Sequence, residues 1–559
     1  MEALNYYRDD NELIHCLGAT AARVEPYTRD RSFHEVRADP QAREAFRSCA
    51  LELGATAEET SEMLRNWATH VPWDGLIALR QQAEVAARDE AALRGIWDFL
   101  QRELPAVQAA LEGLSEPTHL RRSVDPDEEY ALDKNLNDFY HPAGSNLLAR
   151  TEEFYGWVEA RRRTETWQYS RLLEVAPGSI ATIRNDTGRS TRGINFNSQD
   201  YFSLSAHPAI REAALRALHE FGPHSAGSPI VLGNTRYSEE LERELGELLH
   251  MEHVMLFPTG WAAGFGSIVG LVRQEDYVVV DKLAHACLQQ GARAATRNIF
   301  RFEHLSLESV RQHLVAIRGR DTRNGILVVT DGLFSVDADW PDLVALQALC
   351  REYDATLLVD VAHDLGALGP GGSGVLGMQG LLGQVDLVMG SFSKTFASNG
   401  GFLATRSPAV KQYVKLFAGS HLFSNALSPT QAAVVLQSAR IVRSPEGELL
   451  RERLFRAVHA LRDELIGHGR TCMGMPSPIV PLLMGNEKLA RITNRLLFDR
   501  GVLAFLVEFP VTPVGSARFR LQVQAAHSPE EARLAARIID GAINDARAYM
   551  SSAFGTGLA

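Results

Sequence analysis

The chain has 559 residues, of which 45% are apolar and 23% are charged, a balance typical of globular proteins. This composition excludes a disordered chain, a collagen and a bundle of membrane helices, and the length allows about three or four structural units. The net charge is −12 and no run rich in Lys and Arg occurs, so the electrostatic footprint of a nucleic-acid-binding protein is missing.

The five cysteines are scattered without a CxxC pair, and the amino terminus is acidic and has no apolar segment. We therefore expect free thiols, no signal peptide and a cytoplasmic protein. One run, His253–Val272, has no Asp, Glu, Lys or Arg, but Pro258 and four glycines interrupt it. We predict a buried strand, a loop and a helix there, and no transmembrane segment.

Residues 1–120 are predicted to be helical and to form a bundle-like extension. Apolar residues recur three and four positions apart in Glu58–Trp67 and Gly75–Leu111. Pro40, Pro72 and Pro105 predict breaks between helices. The region holds 21 acidic residues and 12 arginines but no lysine.

Residues 121–178 are predicted to form a connecting arm. The segment is rich in charged and aromatic residues. We expect the arm to pack against another part of the protein, because exposing its large aromatic side chains would be costly. These side chains are Phe139, Tyr140, Phe154, Tyr155, Trp157 and Trp167.

From Ser179 short apolar runs alternate with helical stretches, which predicts a mostly parallel sheet covered by helices, an α/β fold, over residues 179–430. The predicted strands are Val254–Phe257, Tyr277–Val280, Ile326–Thr330, Thr356–Asp360 and Leu387–Gly390. Residues 431–559 are predicted to form a smaller α+β domain. Its predicted elements are the helices Gln431–Val442 and Leu449–Gly467 and the strands Ile479–Leu483 and Phe519–Gln524.

The segment GSFSKTFASNGGF places Lys394 just after a strand, among small residues. A Schiff-base lysine needs this setting, because its amine must be open to an aldehyde cofactor. An exposed loop lysine is the alternative. The segment LLVDVAHDLGALG places Asp360 at a strand end, where a carboxylate can hold a protonated pyridine nitrogen. His363 could then reach the 3-hydroxyl edge of the ring, although a capped strand-to-loop junction would also explain Asp360.

Two further segments could complete a cofactor site. FPTGWAAGFG runs from a strand through Thr259 and Gly260 into a helix, whose first N–H groups could hold a phosphate. In DKLAHACLQQG, His285 follows a strand and could lie flat on a cofactor ring. Glycine turns before helices are common, and a histidine at such a place often has a purely structural role.

Taken in chain order, eight segments resemble the α-oxoamine synthase family of fold-type I pyridoxal-phosphate enzymes. The resemblance begins at INFNSQDYFSLSAHPAI and passes through FGPHSAGSPIVLGNTRYSEELERELGELL, FPTGWAAG, DKLAHACLQQGAR, TDGLFSVDADWPDL, VDVAHDLGALG and VDLVMGSFSKTF. It ends at GSARFRLQVQAAHSPEE. It covers roughly residues 179–546. The family includes serine palmitoyltransferase, 8-amino-7-oxononanoate synthase, 2-amino-3-ketobutyrate CoA ligase and 5-aminolevulinate synthase.

The resemblance implies a role for each matching residue. Lys394 would form the Schiff base and move protons at the substrate α-carbon, and Asp360 would pair with the ring nitrogen. His285 would stack on the ring and help to orient the substrate carboxylate, which Arg520 would bind. The remaining cofactor contacts would come from Thr259, Gly260, Trp261, Ser335, His363 and Ser391.

The implied reaction joins an amino acid to an acyl thioester, either acyl-CoA or acyl-carrier protein, with loss of carbon dioxide and thiol. The resemblance also implies a homodimer. Transamination or an aldolase or lyase reaction on the same fold is the alternative. A non-catalytic regulatory subunit is a third hypothesis, which the retention of Lys394 opposes.

Several positions depart from the family pattern. Pro229 stands where the family often has an arginine, Ser238 replaces a histidine and Ala284 replaces an asparagine. Asn425 stands where a phosphate-binding threonine of the neighbouring subunit often occurs, and Val511 where a substrate-contacting threonine does. Since most of these positions lie around the substrate side of the pocket, the amino acid and acyl donor can differ from the familiar cases.

The resemblance does not explain residues 1–120. An appended acyl carrier domain needs a serine in an Asp-Ser-Leu-like context, and neither Ser48 nor Ser61 has one. The acidic charge of the region also disfavours docking of an acidic carrier. Oligomerisation or covering of the active-site entrance is the simpler expectation.

Overall fold

The computed structural model describes residues 3–60, 65, 71–115 and 126–554. Two compact units are present, Met1–Pro126 with Ser551–Ala559, and Asp127–Met550. Two predictions fall partly outside the described residues. They are the predicted helix Glu58–Trp67, which contains Ser61, and the first residues of the predicted arm. Among the helices of the described ranges, none has the length and apolar character needed to cross a membrane.

The first unit is helical. Its helices are Ala3–Arg29, Phe33–Ala38, Pro40–Glu59, Trp73–Val85 and Glu90–Ser115. Their apolar faces form one buried cluster, in which Phe46, Leu76 and Trp97 are central.

The three prolines that were predicted to separate helices have different outcomes. Pro40 begins a helix and Pro72 precedes one, as predicted. The predicted break at Pro105 is wrong, because this residue lies inside Glu90–Ser115. An internal proline costs about 3 kcal/mol. Burial of Leu104 and Leu111 on the same helix contributes about 1.5–3 kcal/mol for each side chain, which offsets that cost.

The predicted arm begins the second unit. It contains the helices Pro126–Asp133 and Glu152–Arg163. Trp157 is fully buried, as expected, and its indole N–H donates to the carbonyl of Ala131 at 3.2 Å. The expectation is wrong for Tyr140 and Tyr155, which are 61% and 56% exposed. A phenol keeps its polar hydroxyl in water, so its exposure is less costly than that of an indole.

A seven-stranded sheet forms the centre of the second unit. Its strands are β4 (His253–Phe257), β5 (Tyr277–Asp281), β6 (Ile299–Phe302), β7 (Ile326–Asp331), β8 (Thr356–Asp360), β9 (Leu387–Ser391) and β10 (Gly401–Thr405). The order is β4-β10-β9-β8-β7-β5-β6, and only β10 runs antiparallel to its neighbours. All five strands predicted for this region are therefore present, within one residue at each end.

Helices flank the sheet, and one of them is the helix predicted within the uncharged run. The helices up to residue 352 are Pro208–Phe221, Arg236–Leu249, Gly260–Leu271, Ala286–Ala295, Leu307–Arg318 and Leu343–Glu352. Those that follow are Gly374–Met378, Pro408–Phe417, Gly419–Leu422, Pro429–Val442, Pro445–Gly467, Glu487–Asp499 and Pro529–Phe554. The helices predicted at 431–442 and 449–467 begin two and four residues earlier, at prolines that follow a serine cap.

Two smaller sheets complete the second unit. One has the order β11-β14-β13, where β11 is Ile479–Gly485, β13 is Phe505–Val507 and β14 is Ala517–Gln522. The other joins β1 (Leu172–Leu173), β2 (Ile180–Arg184), β3 (Ser190–Asn195) and β12 (Val502–Leu503). The central strand β14 is buried throughout, so the charged side chains of Arg518 and Arg520 lie inside the protein.

Candidate active site

The ends of three neighbouring strands place the polar residues of the site. The carboxyl ends of parallel strands meet at one edge of a sheet, where ligands bind in open α/β folds. Asp331, Asp360 and Ser391 are the last residues of β7, β8 and β9, and Asp331 lies opposite Asp360 in the register.

A cavity of about 330 Å³ opens at this edge. All ten predicted site residues line it, namely Thr259, Gly260, Trp261, His285, Ser335, Asp360, His363, Ser391, Lys394 and Arg520. Asn425 and Val511, two of the departures from the family pattern, are not among its lining residues. The structure therefore brings together side chains from segments that are up to 261 positions apart in the chain.

Lys394 lies three residues beyond the end of β9 and is half-buried in the cavity wall. Burial lowers the pKa of its amine, and the nearby carboxylate of Asp360 only partly opposes this effect. A lysine whose pKa is lowered keeps a larger neutral fraction, and only the neutral amine can attack an aldehyde.

Asp360 and Asp331 form a pair of buried carboxyl groups below Lys394. Burial raises the pKa of Asp360, while His285 and Lys394 lower it. Burial and the charge of Asp360 also raise the pKa of Asp331. Asp360 Oδ1 accepts the N–H of Ala362 at 2.9 Å. Two neighbouring acids favour binding of a positively charged group, such as a protonated pyridine.

His285 caps the helix Ala286–Ala295 with its own side chain. Its Nδ1 accepts the backbone N–H of Cys287 at 3.3 Å and lies 3.0 Å from Cys287 Sγ. Its backbone N–H donates to Asp331 Oδ1 at 3.2 Å. Burial lowers the pKa of His285, so the imidazole is neutral and, with Nδ1 as the acceptor, carries its proton on Nε2.

His363 is held by a tyrosine that the sequence analysis did not identify. The hydroxyl of Tyr201 lies 2.9 Å from His363 Nδ1, and both side chains are buried. Burial lowers the pKa of His363 well below its usual range and raises that of Tyr201 to about 12. The phenol therefore stays protonated and can donate to Nδ1, an arrangement in which Nε2 of His363 carries the ring proton and can donate to a ligand.

The helix Gly260–Leu271 begins at the cavity. Thr259 caps this helix by accepting the N–H of Ala262 at 3.0 Å, and the first N–H groups of a helix lack acceptors within the helix. The hydroxyls of Ser391 and Ser393 lie 2.8 Å apart at the facing strand end. Helix N–H groups and hydroxyls of this kind form a phosphate site.

Glycine is required at position 260 by close packing. A Cβ atom there would lie 2.3 Å from the Cβ and 2.5 Å from the Oγ of Ser391. The helix start and the strand end therefore approach more closely than any other residue permits.

Arg520 enters the cavity from β14 of the small sheet. Its side chain is buried, and its Nε and Nη2 atoms have no hydrogen-bond partner within the described residues. Burial lowers its pKa, and among the described residues no carboxylate is paired with it. Because an unpaired buried guanidinium is costly, this arrangement fits a site that receives a carboxylate from a substrate.

Together these features fit pyridoxal phosphate. Asp360 can pair with the ring nitrogen, His285 can lie on the ring, and Lys394 can reach the aldehyde. The helix start at Gly260 and the hydroxyl of Ser391 can hold the phosphate. Each group is of the chemical type that the corresponding part of the cofactor requires.

The lining or supporting residues that were not identified from the sequence include Tyr201, Asp331, Cys287 and Ser393. A position at the end of a predicted strand was a usable signal for Asp331, because Asp360 was identified in the same way. Tyr201 contacts His363 through its hydroxyl, and Cys287 contacts His285 through its backbone N–H and its thiol. No spacing in the sequence indicates such contacts.

Replacing Gly260 with alanine is expected to weaken binding of pyridoxal phosphate by about 10-fold or more, because the new methyl group displaces Ser391 from the phosphate site. The measurement is the cofactor dissociation constant by equilibrium dialysis. Gly156→Ala is the matched control, since a Cβ at this helical glycine meets nothing within 4 Å. Equal cofactor affinity of Gly260→Ala and wild type would contradict the assignment of the phosphate site.

Comparison with known proteins gives the family. A family model described as aminotransferase class I and II matches residues 191–539. The 8-amino-7-oxononanoate synthase of Citrifermentans bemidjiense is 32% identical over 383 residues, 68% of this chain and 96% of that protein. The serine palmitoyltransferase of Sphingobacterium spiritivorum is 32% identical over 337 residues, 60% of this chain and 83% of that enzyme.

Solved structures agree with these relatives. Serine palmitoyltransferase of Sphingomonas wittichii superimposes with a TM-score of 0.67 at 26% identity, over 72% of this chain and 99% of that chain. A serine palmitoyltransferase with PLP gives the same TM-score and coverage at 27% identity. The predicted fold class, family and cofactor are thus confirmed: the chain belongs to the aminotransferase class I and II family and, within it, to the pyridoxal-phosphate-dependent α-oxoamine synthases of fold type I.

Proposed function

We propose that this protein condenses an amino acid with an acyl thioester. The carboxylate carbon of the amino acid leaves as carbon dioxide, the thioester releases its thiol, and the acyl carbon becomes bonded to the α-carbon, giving an α-amino ketone. The observation that carries the proposal is the buried, unpaired guanidinium of Arg520 in the same cavity as Lys394, Asp360 and His285. The relatives named serine palmitoyltransferase and 8-amino-7-oxononanoate synthase support it.

When bound, pyridoxal phosphate supplies an aldehyde for the substrate amine and a ring that accepts electrons from the substrate α-carbon. Asp360 holds the negative charge that keeps a ring nitrogen protonated. Lys394 takes the proton from the α-carbon and returns it later, and burial, which lowers the pKa of its amine, favours the neutral form that accepts this proton.

Arg520 and His285 orient the substrate. Arg520 can donate from Nε and Nη2 to the two oxygens of the amino-acid carboxylate, since both nitrogens lack other partners. The neutral His285 keeps an N–H on Nε2 for a substrate oxygen. Fixing the carboxylate at two points determines which bond of the α-carbon is broken.

The test is release of thiol and carbon dioxide by the holoenzyme, with single amino acids and acyl-CoA thioesters of different chain lengths. We expect equal amounts of both products, and only when both substrates are present. If no acyl-CoA reacts, the same assay is repeated with acyl groups on carrier proteins. Transfer of the amino group to a 2-oxo acid without thiol release would overturn the proposal in favour of an aminotransferase.

Replacing Arg520 with leucine is expected to raise KM for the amino acid about 100-fold, because a two-point charged hydrogen bond is lost. The thermal midpoint should stay equal or rise, since the substitution removes a buried charge without a partner. Steady-state kinetics and thermal unfolding of the apoenzyme measure the two effects.

Arg518→Leu is the matched control for this prediction. Arg518 lies two positions earlier on β14, is also buried, and pairs with Asp337. Its loss should lower the thermal midpoint because it leaves a carboxylate without a partner, and should leave KM for the amino acid nearly unchanged. If KM for the amino acid rises in Arg518→Leu and the thermal midpoint falls in Arg520→Leu, Arg520 is not a substrate-binding residue.

We also propose that the protein is a cytoplasmic homodimer. Val231, Leu232 and Phe423 are more than 80% exposed. They lie on two segments joined by a hydrogen bond from Ser228 Oγ to the carbonyl of Leu422 at 2.9 Å. An exposed apolar patch of this kind supports an interface between subunits, and the five cysteines, all unpaired, support a reducing compartment. Sedimentation equilibrium measures the mass, and a monomer would contradict the dimer.

A further inference from the structure

His304 lies between two carboxylates. Its Nδ1 is 3.0 and 3.2 Å from the two oxygens of Asp281, and its Nε2 is 3.2 Å from each oxygen of Asp339. The imidazole also contacts the ring of Phe334 edge-on, with 4.4 Å between centroids. Its side chain is 17% exposed, so this arrangement is largely shielded from water.

The first carboxylate controls the loop that leads to His285. Asp281 is the fully buried last residue of β5, and its Oδ1 also accepts the N–H of Leu283 at 2.8 Å. Its carbonyl accepts the N–H of Ala284 at 3.0 Å. The next residue is His285, so the position of Asp281 determines where the backbone enters the cofactor cavity.

The second carboxylate belongs to the turn that carries Ser335. The carbonyl of Asp339 accepts the N–H of Phe334 at 2.9 Å, and the N–H of Ala338 donates to the carbonyl of Phe334 at 3.0 Å. These bonds close the turn around Ser335, which lines the cavity. His304 itself is not among the lining residues. It therefore connects two cavity-forming segments without reaching a ligand.

The geometry requires a charged imidazole. Both ring nitrogens face carboxylate oxygens, and only the doubly protonated ring donates from both. Burial lowers the pKa of His304, but hydrogen bonds to Asp281 and Asp339 outweigh it and raise the pKa to about 9. Of the neighbouring charges, Glu303 is paired with Lys282 and Asp337 with Arg518, so the two aspartates are the groups that act on His304.

We propose that His304 is a positioning residue, whose imidazolium links the loop before His285 to the turn of Ser335 and so maintains the cofactor site. The effect of this link depends on pH. The pKa of His304 is raised from 6.5 to about 9. The stabilisation that the link provides is therefore fully present below about pH 6.5 and is lost as the pH rises through about 9.

The test compares cofactor affinity of the holoenzyme and of His304→Gln between about pH 6 and pH 10. We expect the dissociation constant of pyridoxal phosphate in the variant to exceed that of wild type about 10-fold near pH 7, since a neutral amide replaces a charge-assisted link. The ratio of the two dissociation constants, variant over wild type, should approach one above pH 9. Taking the ratio cancels the titration of Lys394 and of the cofactor itself.

Two more variants make the test specific. Asp339→Asn keeps His304 but removes one of the two charges that hold its proton, so the pH at which affinity falls should shift to lower values. This variant also serves if His304→Gln does not fold. His253→Gln replaces a partly buried histidine at the start of β4, outside the cavity, and should give a ratio of one at every pH.

A ratio for His304→Gln that is one at neutral pH, or that stays constant up to pH 10, would overturn the proposal. An unchanged pH profile in Asp339→Asn would do the same. A general loss of stability alone does not give these results, because it lowers the thermal midpoint without a change of affinity that vanishes at high pH.

Discussion

Replacing Lys394 with alanine is expected to lower the rate of thiol release by about 1,000-fold or more. Lys394 is a lysine that lines the cavity, and burial lowers the pKa of its amine despite the opposing charge of Asp360, which favours the neutral amine that attacks an aldehyde and accepts a proton. In the wild type, reduction with borohydride should attach the cofactor permanently to the protein, and the variant should lose this attachment. Peptide mass spectrometry after reduction measures this attachment.

Lys411→Ala is the control for this variant. Lys411 lies on the helix Pro408–Phe417, is 17% exposed in its side chain and pairs with Glu242 at 2.6 Å. Its replacement should affect stability and leave the attachment and the rate of thiol release intact. Retained turnover in Lys394→Ala, or label on another lysine after reduction, would refute the proposed mechanism.

Replacing Asp360 with asparagine is expected to lower kcat by about 100-fold or more, while KM for the amino acid changes little. The amide keeps the size of the side chain and can still accept the N–H of Ala362. It cannot supply the negative charge that stabilises a protonated ring, so the ring accepts electrons poorly. Steady-state kinetics of the loaded enzyme separate kcat from KM.

Asp386→Asn provides the comparison for Asp360→Asn. Asp386 precedes β9 at the opposite end of the sheet, where its Oδ2 accepts the N–H of Leu357 at 2.9 Å. An amide oxygen replaces this acceptor, so kcat should remain near that of wild type. If both variants lose activity equally, the loss in Asp360→Asn reflects the fold and not the charge at the ring.

Much of the site was predictable because it consists of strand ends. Lys394 and Asp360 each follow a short apolar run whose length fixes where the strand stops. The family resemblance then assigned the partners from other segments, including Arg520 on β14.

Other features depended on packing that a local pattern does not record. The pattern around Pro105 predicts a break, but burial of the apolar face keeps the helix continuous. Tyr140 and Tyr155 have the aromatic character of buried residues and are exposed, whereas Trp157 nearby is fully buried. The difference lies in which positions of the arm meet other elements, which only the folded chain determines.

The α/β class, the places of the main strands and the residues at their ends can be read from the amino-acid sequence, because they follow from short-range periodicity and from motifs. Which groups act on one another depends on how the chain folds in space. Tyr201 contacts His363, which lies 162 positions later in the chain. His304 joins Asp281 to Asp339, which are 58 positions apart. Hydrogen bonds and pKa shifts depend on distance and burial in space, and the fold alone creates both.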